Sequence, residues 1–220
     1  MKKLILGIAA LAACVNVDAA SITVAGRTFD SVQMVDSVIS GSGVFQTSLA
    51  DDVGVYSNEV LRVVTDNDPE SYAFSWDPGA FLELGFTDNI LFNGPGADLM
   101  VVETGVPDFF RFSLSVGGPS LLVETSFIGE RGATTRLSIN PVFIDLSDLG
   151  VGLNAAVTSF VLGMDYSHPL YDTEPSLSMA VALNSRLVDP PSTSVPEPAS
   201  WALLLFGLPL LAFQQKKVFV

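Results

Sequence analysis

Apolar and polar positions alternate with period two along most of this chain. Phe110, Phe112, Leu114 and Val116 alternate with Phe109, Arg111, Ser113 and Ser115. Leu177, Met179, Val181 and Leu183 alternate with Ser178, Ala180 and Ala182, and Phe160, Leu162 and Met164 with Ser159, Val161 and Gly163. Thr135, Leu137 and Ile139 repeat the pattern around Arg136 and Ser138. A strand sends successive side chains to opposite faces, so this period predicts half-buried strands. Further strands are expected at Ile22 to Ala25, Ser31 to Ile39, Val60 to Val64, Ala80 to Phe86 and Asp98 to Glu103. Between the runs stand Gly41-Ser42-Gly43, Asp66 to Pro69, Asn93-Gly94-Pro95-Gly96 and Gly117-Gly118-Pro119. These residue types supply the backbone shapes that turns require. Short strands at such spacing predict an all-β fold, a sandwich or barrel. No helix of ten residues stands out, and one short turn fits best within Ser147 to Ala156. The body, residues 20–188, is long enough to bury a core as a single domain.

Both ends depart from the pattern. The N-terminus reads MKKLILGIAALAACVNVDAA, with Lys2 and Lys3 ahead of an apolar run from Leu4 to Ala13. That run makes about 15 Å of helix, too short for a bilayer core of about 30 Å. A charged start, a short apolar stretch and small residues after it predict a secretory signal peptide over residues 1–19. Val17 and Ala19 occupy the −3 and −1 positions, so cleavage is expected between Ala19 and Ala20. One alternative is a helix buried in the domain. Another is lipidation, since Leu11-Ala12-Ala13-Cys14 resembles a lipobox.

At the other end, residues 189–194 form a Pro/Ser/Thr linker, followed by Val195-Pro196-Glu197-Pro198-Ala199, an apolar run from Trp201 to Phe213, and Lys216-Lys217. Trp at one boundary and lysines at the other are interfacial anchors, and the lysines mark the cytoplasmic side. The run gives about 20 Å of helix, so flanking residues must help it cross. This arrangement over residues 195–220 resembles the PEP-CTERM sorting signal of Gram-negative bacteria that make exopolysaccharide. The resemblance implies export through the Sec machinery and a precursor held in the inner membrane. It also implies cleavage by an exosortase and delivery to the cell surface or extracellular matrix. Val195, Pro196, Glu197, Pro198 and Ala199 match the sorting motif, and Lys216 and Lys217 the cytoplasmic stop. The alternative is an ordinary C-terminal membrane anchor.

A second likeness lies inside the body. Leu84 to Glu103 reads LGFTDNILFNGPGADLMVVE and resembles a segment common in PEP-CTERM surface proteins, as do Ile144 to Val151 and Ala182-Leu183-Asn184. This resemblance implies a β-sandwich of galactose-binding-like, jelly-roll type.

Charge narrows the function. The chain carries 10 Lys+Arg against 24 Asp+Glu, a formal net charge of −14. Between Ala20 and Val195 there is no lysine, and six arginines face 22 acids, a net −16. Such a surface lacks the basic footprint that nucleic-acid binding needs. One cysteine excludes an internal disulfide framework. His168, in Tyr166 to Tyr171, reads as an exposed loop residue, and no G-x-S-x-G elbow, P-loop or dinucleotide fingerprint is present. Asp66-Asn67-Asp68-Pro69-Glu70 opens like an EF-hand but has Ser71 and Asp77 where Gly and Glu are needed. Asp88, Asn89, Asn93, Asp98 and Glu103 gather oxygen donors around a Gly/Pro turn. Calcium takes six to eight such oxygens, so these five are the candidate metal ligands; the alternative is that they simply shape the turn. Tyr72, Phe74 and Trp76 alternate along one face and read as core more readily than as a sugar platform. The expected function is therefore a non-enzymatic structural or adhesive protein of the surface matrix, with exopolysaccharide as partner and calcium as the candidate cofactor. A lectin-like carbohydrate-binding module and a secreted hydrolase are the alternatives.

Overall fold

Two strands in the centre of this protein are buried at every position, and what covers them explains the architecture. The protein is described by a computed structural model over residues 21–164 and 173–188. The expected signal peptide with Val17, Ala19 and Ala20, the linker, the sorting signal and His168 lie outside the described residues.

The chain opens with β1 (Ser21–Val24) and β2 (Arg27–Asp30), a hairpin turned by Ala25 and Gly26 with positive φ at both. A single 3-10 turn (Ser31–Gln33) leads to β3 (Ser37–Ser42), β4 (Val44–Thr47) and β5 (Val53–Gly54). Helix α1 (Asn58–Thr65) follows, then β6 (Ala73–Phe74), β7 (Phe81–Gly85), β8 (Asn89–Phe92), β9 (Leu99–Thr104), β10 (Phe109–Ser113), β11 (Ser120–Glu124) and β12 (Ile139–Ile144). A 3-10 turn at Leu146–Leu149 precedes β13 (Ala156–Val157), β14 (Ser159–Gly163), β15 (Leu177–Ala182) and β16 (Ser185–Leu187). The compact unit closes at Leu187.

Strand pairing is antiparallel throughout the described residues. One sheet runs β11-β10-β14-β7-β3, a second β12-β9-β15-β6-β4-β5, and a small third β13-β8-β16. The expected all-β class holds. Leu82, Leu84, Phe110, Phe112, Phe160 and Leu162 from the first sheet meet Leu99, Val101, Leu177, Ala180 and Ala182 from the second in one core. The remaining apolar residues of β9 and β15, Met100, Val102, Met179 and Val181, pack with Val24, Phe29 and Met34. The N-terminal hairpin thus roofs the outer face of the second sheet. Covered on both sides, β9 and β15 carry apolar residues at nearly every position, as strands with two dry faces do. Pro141 sits in β12, an edge strand, where its missing N–H interrupts no ladder on the open side.

Three expected strands take other forms. Val60 to Val64 lies in α1, with Val60, Val63 and Val64 buried at helical spacing. The Ser57 hydroxyl caps the helix, accepting from the Val60 N–H at 3.1 Å. Ser31 to Ile39 divides into the 3-10 turn and the start of β3. Thr135 and Leu137 belong to a turn ahead of β12, because Glu70 captures the N–H groups of Thr134 and Thr135 and Arg136 adopts φ 60°.

Candidate carbohydrate-contact surface

The aromatic triad departs in part from the core expectation: Phe74 packs against the core from its edge, and Trp76 is exposed. Along Ser71 to Trp76 the small residues point inward: Ala73 and Ser75 are fully buried and Ser71 nearly so. Ser75 is fixed there, donating its hydroxyl to the Val44 carbonyl at 2.7 Å. The large residues must therefore face outward. Tyr72 and Phe74 are half-buried and Trp76 is 56% exposed. Their rings form a ladder, with centroids 6.3 Å apart from Tyr72 to Phe74 and 5.6 Å apart, edge to face, from Phe74 to Trp76. Aromatic pairs favour such tilted and T-shaped contacts, which stiffen the surface they form.

The ladder borders a cleft of about 170 Å³ lined by Phe74, Trp76, Val106, Asp108, Thr173, Glu174 and Ser176. Phe74, Trp76 and Val106 give it an apolar and aromatic wall, while Asp108 on the lining keeps its carboxyl oxygens buried. Behind it lies Glu103 at the end of β9. One carboxyl oxygen accepts from the Asp108 N–H at 2.9 Å and from the Thr125 hydroxyl, and the other from the Ser176 N–H at 3.4 Å. Glu103 ties together the loop after β9, the chain beyond β11 and the approach to β15. Burial pushes its carboxyl up to about 8, the neighbouring Asp108 charge adds to this, and the Thr125 hydroxyl opposes it. It is 1% exposed and does not line the cleft, so it positions the wall and does not touch a ligand.

The five residues expected to hold calcium are not brought together. Asp98 and Glu103 stand at opposite ends of β9, about 16 Å apart at strand rise. Asp98 spends both oxygens on the fold. One accepts from the Gly94 N–H and the Asn184 amide, each at 2.7 Å, and the other from the Leu146 N–H at 2.8 Å. Gly94 lies so close to Asn184 that a Cβ there would stand 2.4 Å from its amide nitrogen. Asn93 donates to the Val151 carbonyl at 2.6 Å and Asn89 to the Val32 carbonyl at 2.7 Å. Asp88 is exposed; partial burial and the charge of Asp36 raise its carboxyl. Among the described residues no three His, Cys, Asp or Glu side chains converge at metal-binding distance. A calcium ion needs free convergent oxygens, and the carboxylates of Asp98 and Glu103 already accept from N–H donors at separate places. These hydrogen bonds favour the turn-shaping alternative.

The Asp66 to Glu70 segment is likewise a hydrogen-bonded loop. Asp66 accepts from the Asp68 N–H and the Ser71 hydroxyl, and Asp68 from the Glu70 N–H. The Thr135 and Thr134 N–H groups hold the Glu70 carboxyl below the usual carboxylate range.

Sequence reading missed Val106, Asp108 and Glu174. Each joins the cleft from a loop distant in the chain from the ladder, so no local spacing signals it. Comparison with protein-family models, with curated proteins and with solved structures finds no match for this chain.

Proposed function

We propose that this chain is an exported, non-enzymatic surface protein whose β domain adheres to polysaccharide through the Tyr72-Phe74-Trp76 ladder. The observation that carries the reading is the outward ladder itself, beside a cleft. Flat exposed rings stack on the apolar faces of sugars. Trp76, more than half exposed, ends this row of aromatics and presents its ring to solvent. The acidic charge of the body keeps it dispersed outside the cell. The galactose-binding-like jelly roll is part of the same proposal, supported by the antiparallel sheets around one core. Delivery is assigned to the termini: a signal peptide at residues 1–19 and exosortase sorting at Val195 to Ala199.

Two measurements test it. On an array of neutral glycans the full chain binds, and Trp76→Ala lowers affinity about tenfold, the loss of one stacking contact. Array binding untouched by that change would remove the ladder from the function. In the exporting bacterium, the pair Pro196→Ala and Glu197→Ala leaves an unprocessed, membrane-held precursor. Unchanged processing and location would refute the sorting assignment.

A further inference from the structure

We propose that the outer face of the five-stranded sheet carries a second subsite, one that binds a carboxylate-bearing sugar through Arg111. This rests on the carbohydrate reading above and adds a charge to the ligand.

Phe110 and Phe112 point into the core, so Arg111 and Ser113 point out. The register sets Arg111 opposite Gly163, and Gly163 opposite Phe81. Neighbouring strands lie about 4.8 Å apart, so the Arg111 and Phe81 backbones stand about 10 Å apart. Gly163 between them has no side chain, which leaves a gap the width of one strand. That gap belongs to a cleft of about 180 Å³, with the hydroxyls of Ser113 and Ser120 on its lining. One wall is a phenyl ring and the other a guanidinium. A pyranose ring lying in the gap would meet Phe81 with its apolar face, and its carboxylate would meet the N–H fork of Arg111. Guanidinium and carboxylate match as paired, parallel hydrogen bonds.

The charge arrangement favours an anion. Among the described residues, the exposed guanidinium of Arg111 has no hydrogen-bond or ion-pair partner. Arg27 and Arg131, by contrast, lie over the rings of Phe143 and Phe127, at 4.9 and 5.3 Å. No acid lines the cleft among the described residues. The nearest on β7, Glu83, already accepts from the hydroxyls of Ser40 and Ser159 at 2.5 and 3.0 Å. With 22 acids between Ala20 and Val195, an arginine that has no partner and meets no acid in its cleft among the described residues selects a negative ligand at that spot. Physiological salt screens the overall negative field beyond about 8 Å, so the acids elsewhere on the body oppose a polyanion only weakly at this cleft. A sugar acid suits the cleft better than a small inorganic anion, because beyond Arg111 the walls offer a ring and hydroxyls.

The test uses the full chain in detergent and three oligosaccharides of equal length, titrated by calorimetry: oligogalacturonate, its methyl ester and a neutral glucan. Oligogalacturonate binds, and esterification or Arg111→Gln weakens it tenfold or more. Arg111→Lys restores part of the affinity, and higher salt lowers it. Trp76→Ala weakens the neutral glucan and spares the Arg111-dependent difference. Far-ultraviolet circular dichroism identical to the parent confirms that the exposed substitution leaves the fold intact. Absence of oligogalacturonate binding, equal binding of the ester, or full binding by Arg111→Gln overturns the proposal. Absence of glucan binding by the parent chain, or glucan binding unchanged by Trp76→Ala, with the Arg111 dependence intact would instead overturn the ladder and leave this subsite standing.

Discussion

Glu103 and Asp98 show how an acid in a turn-rich sequence becomes a fastener. Each gathers backbone N–H groups from chain segments far apart, and a buried N–H without a partner is costly. Glu103 has, in addition, a property that solution work will detect. Glu103 holds its proton in the folded protein up to about pH 8, against an ordinary value of 4.5 in the unfolded chain. Between those values the native state binds one more proton than the unfolded state. Stability therefore falls as pH rises from about 5 to 8, by up to about 1.4 kcal/mol per pH unit. Urea midpoints measured across that window will decline in the parent protein and flatten in Glu103→Gln, which keeps the amide oxygen for Asp108 and Thr125. Parallel profiles in the two proteins would remove Glu103 as the cause.

The helix α1 depends on its first turn as well as its buried valines. Eight residues are too few to persist alone in water, so capping and packing must supply the stability. Ser57→Ala removes the acceptor for the Val60 N–H and lowers unfolding free energy by about 1 kcal/mol, while Ser57→Asp restores it. Thermal denaturation of the three proteins checks this. The same helix marks the limit of what periodicity reveals. Valine clusters argue for strand, and only the Ser57 cap and the spacing of Val60, Val63 and Val64 argue otherwise. Strands with one wet face, such as β10 and β14, were legible because Phe110, Phe112, Phe160 and Leu162 alternate with outward residues. Tyr72, Phe74 and Trp76 alternate just as cleanly, yet period two names a face without saying which one is dry. The inward Ala73 and Ser75 settle it, and their smallness was visible in the sequence. The clefts were not legible, since Asp108 meets Phe74, and Arg111 meets Gly163 and Phe81, only after the sheets assemble.

Charge is distributed over the whole molecule, and it acts there. Between Ala20 and Val195, six arginines against 22 acids leave repulsion that few cations relieve. Raising sodium chloride from low to physiological concentration should raise the melting temperature, by about 2–4 °C for each kcal/mol of repulsion screened. A melting temperature indifferent to salt would mean the acids are too far apart to interact. The hairpin of β1 and β2 has a consequence of its own. Strand β1 pairs from its first residue, Ser21 against Asp30, and Val24 helps roof Met100, Val102, Met179 and Val181. A protease that nibbled a few residues past Ser21 would strip that roof and bare a greasy sheet face, so the frayed product would clump. Freedom from self-association thus hinges on an intact leading edge.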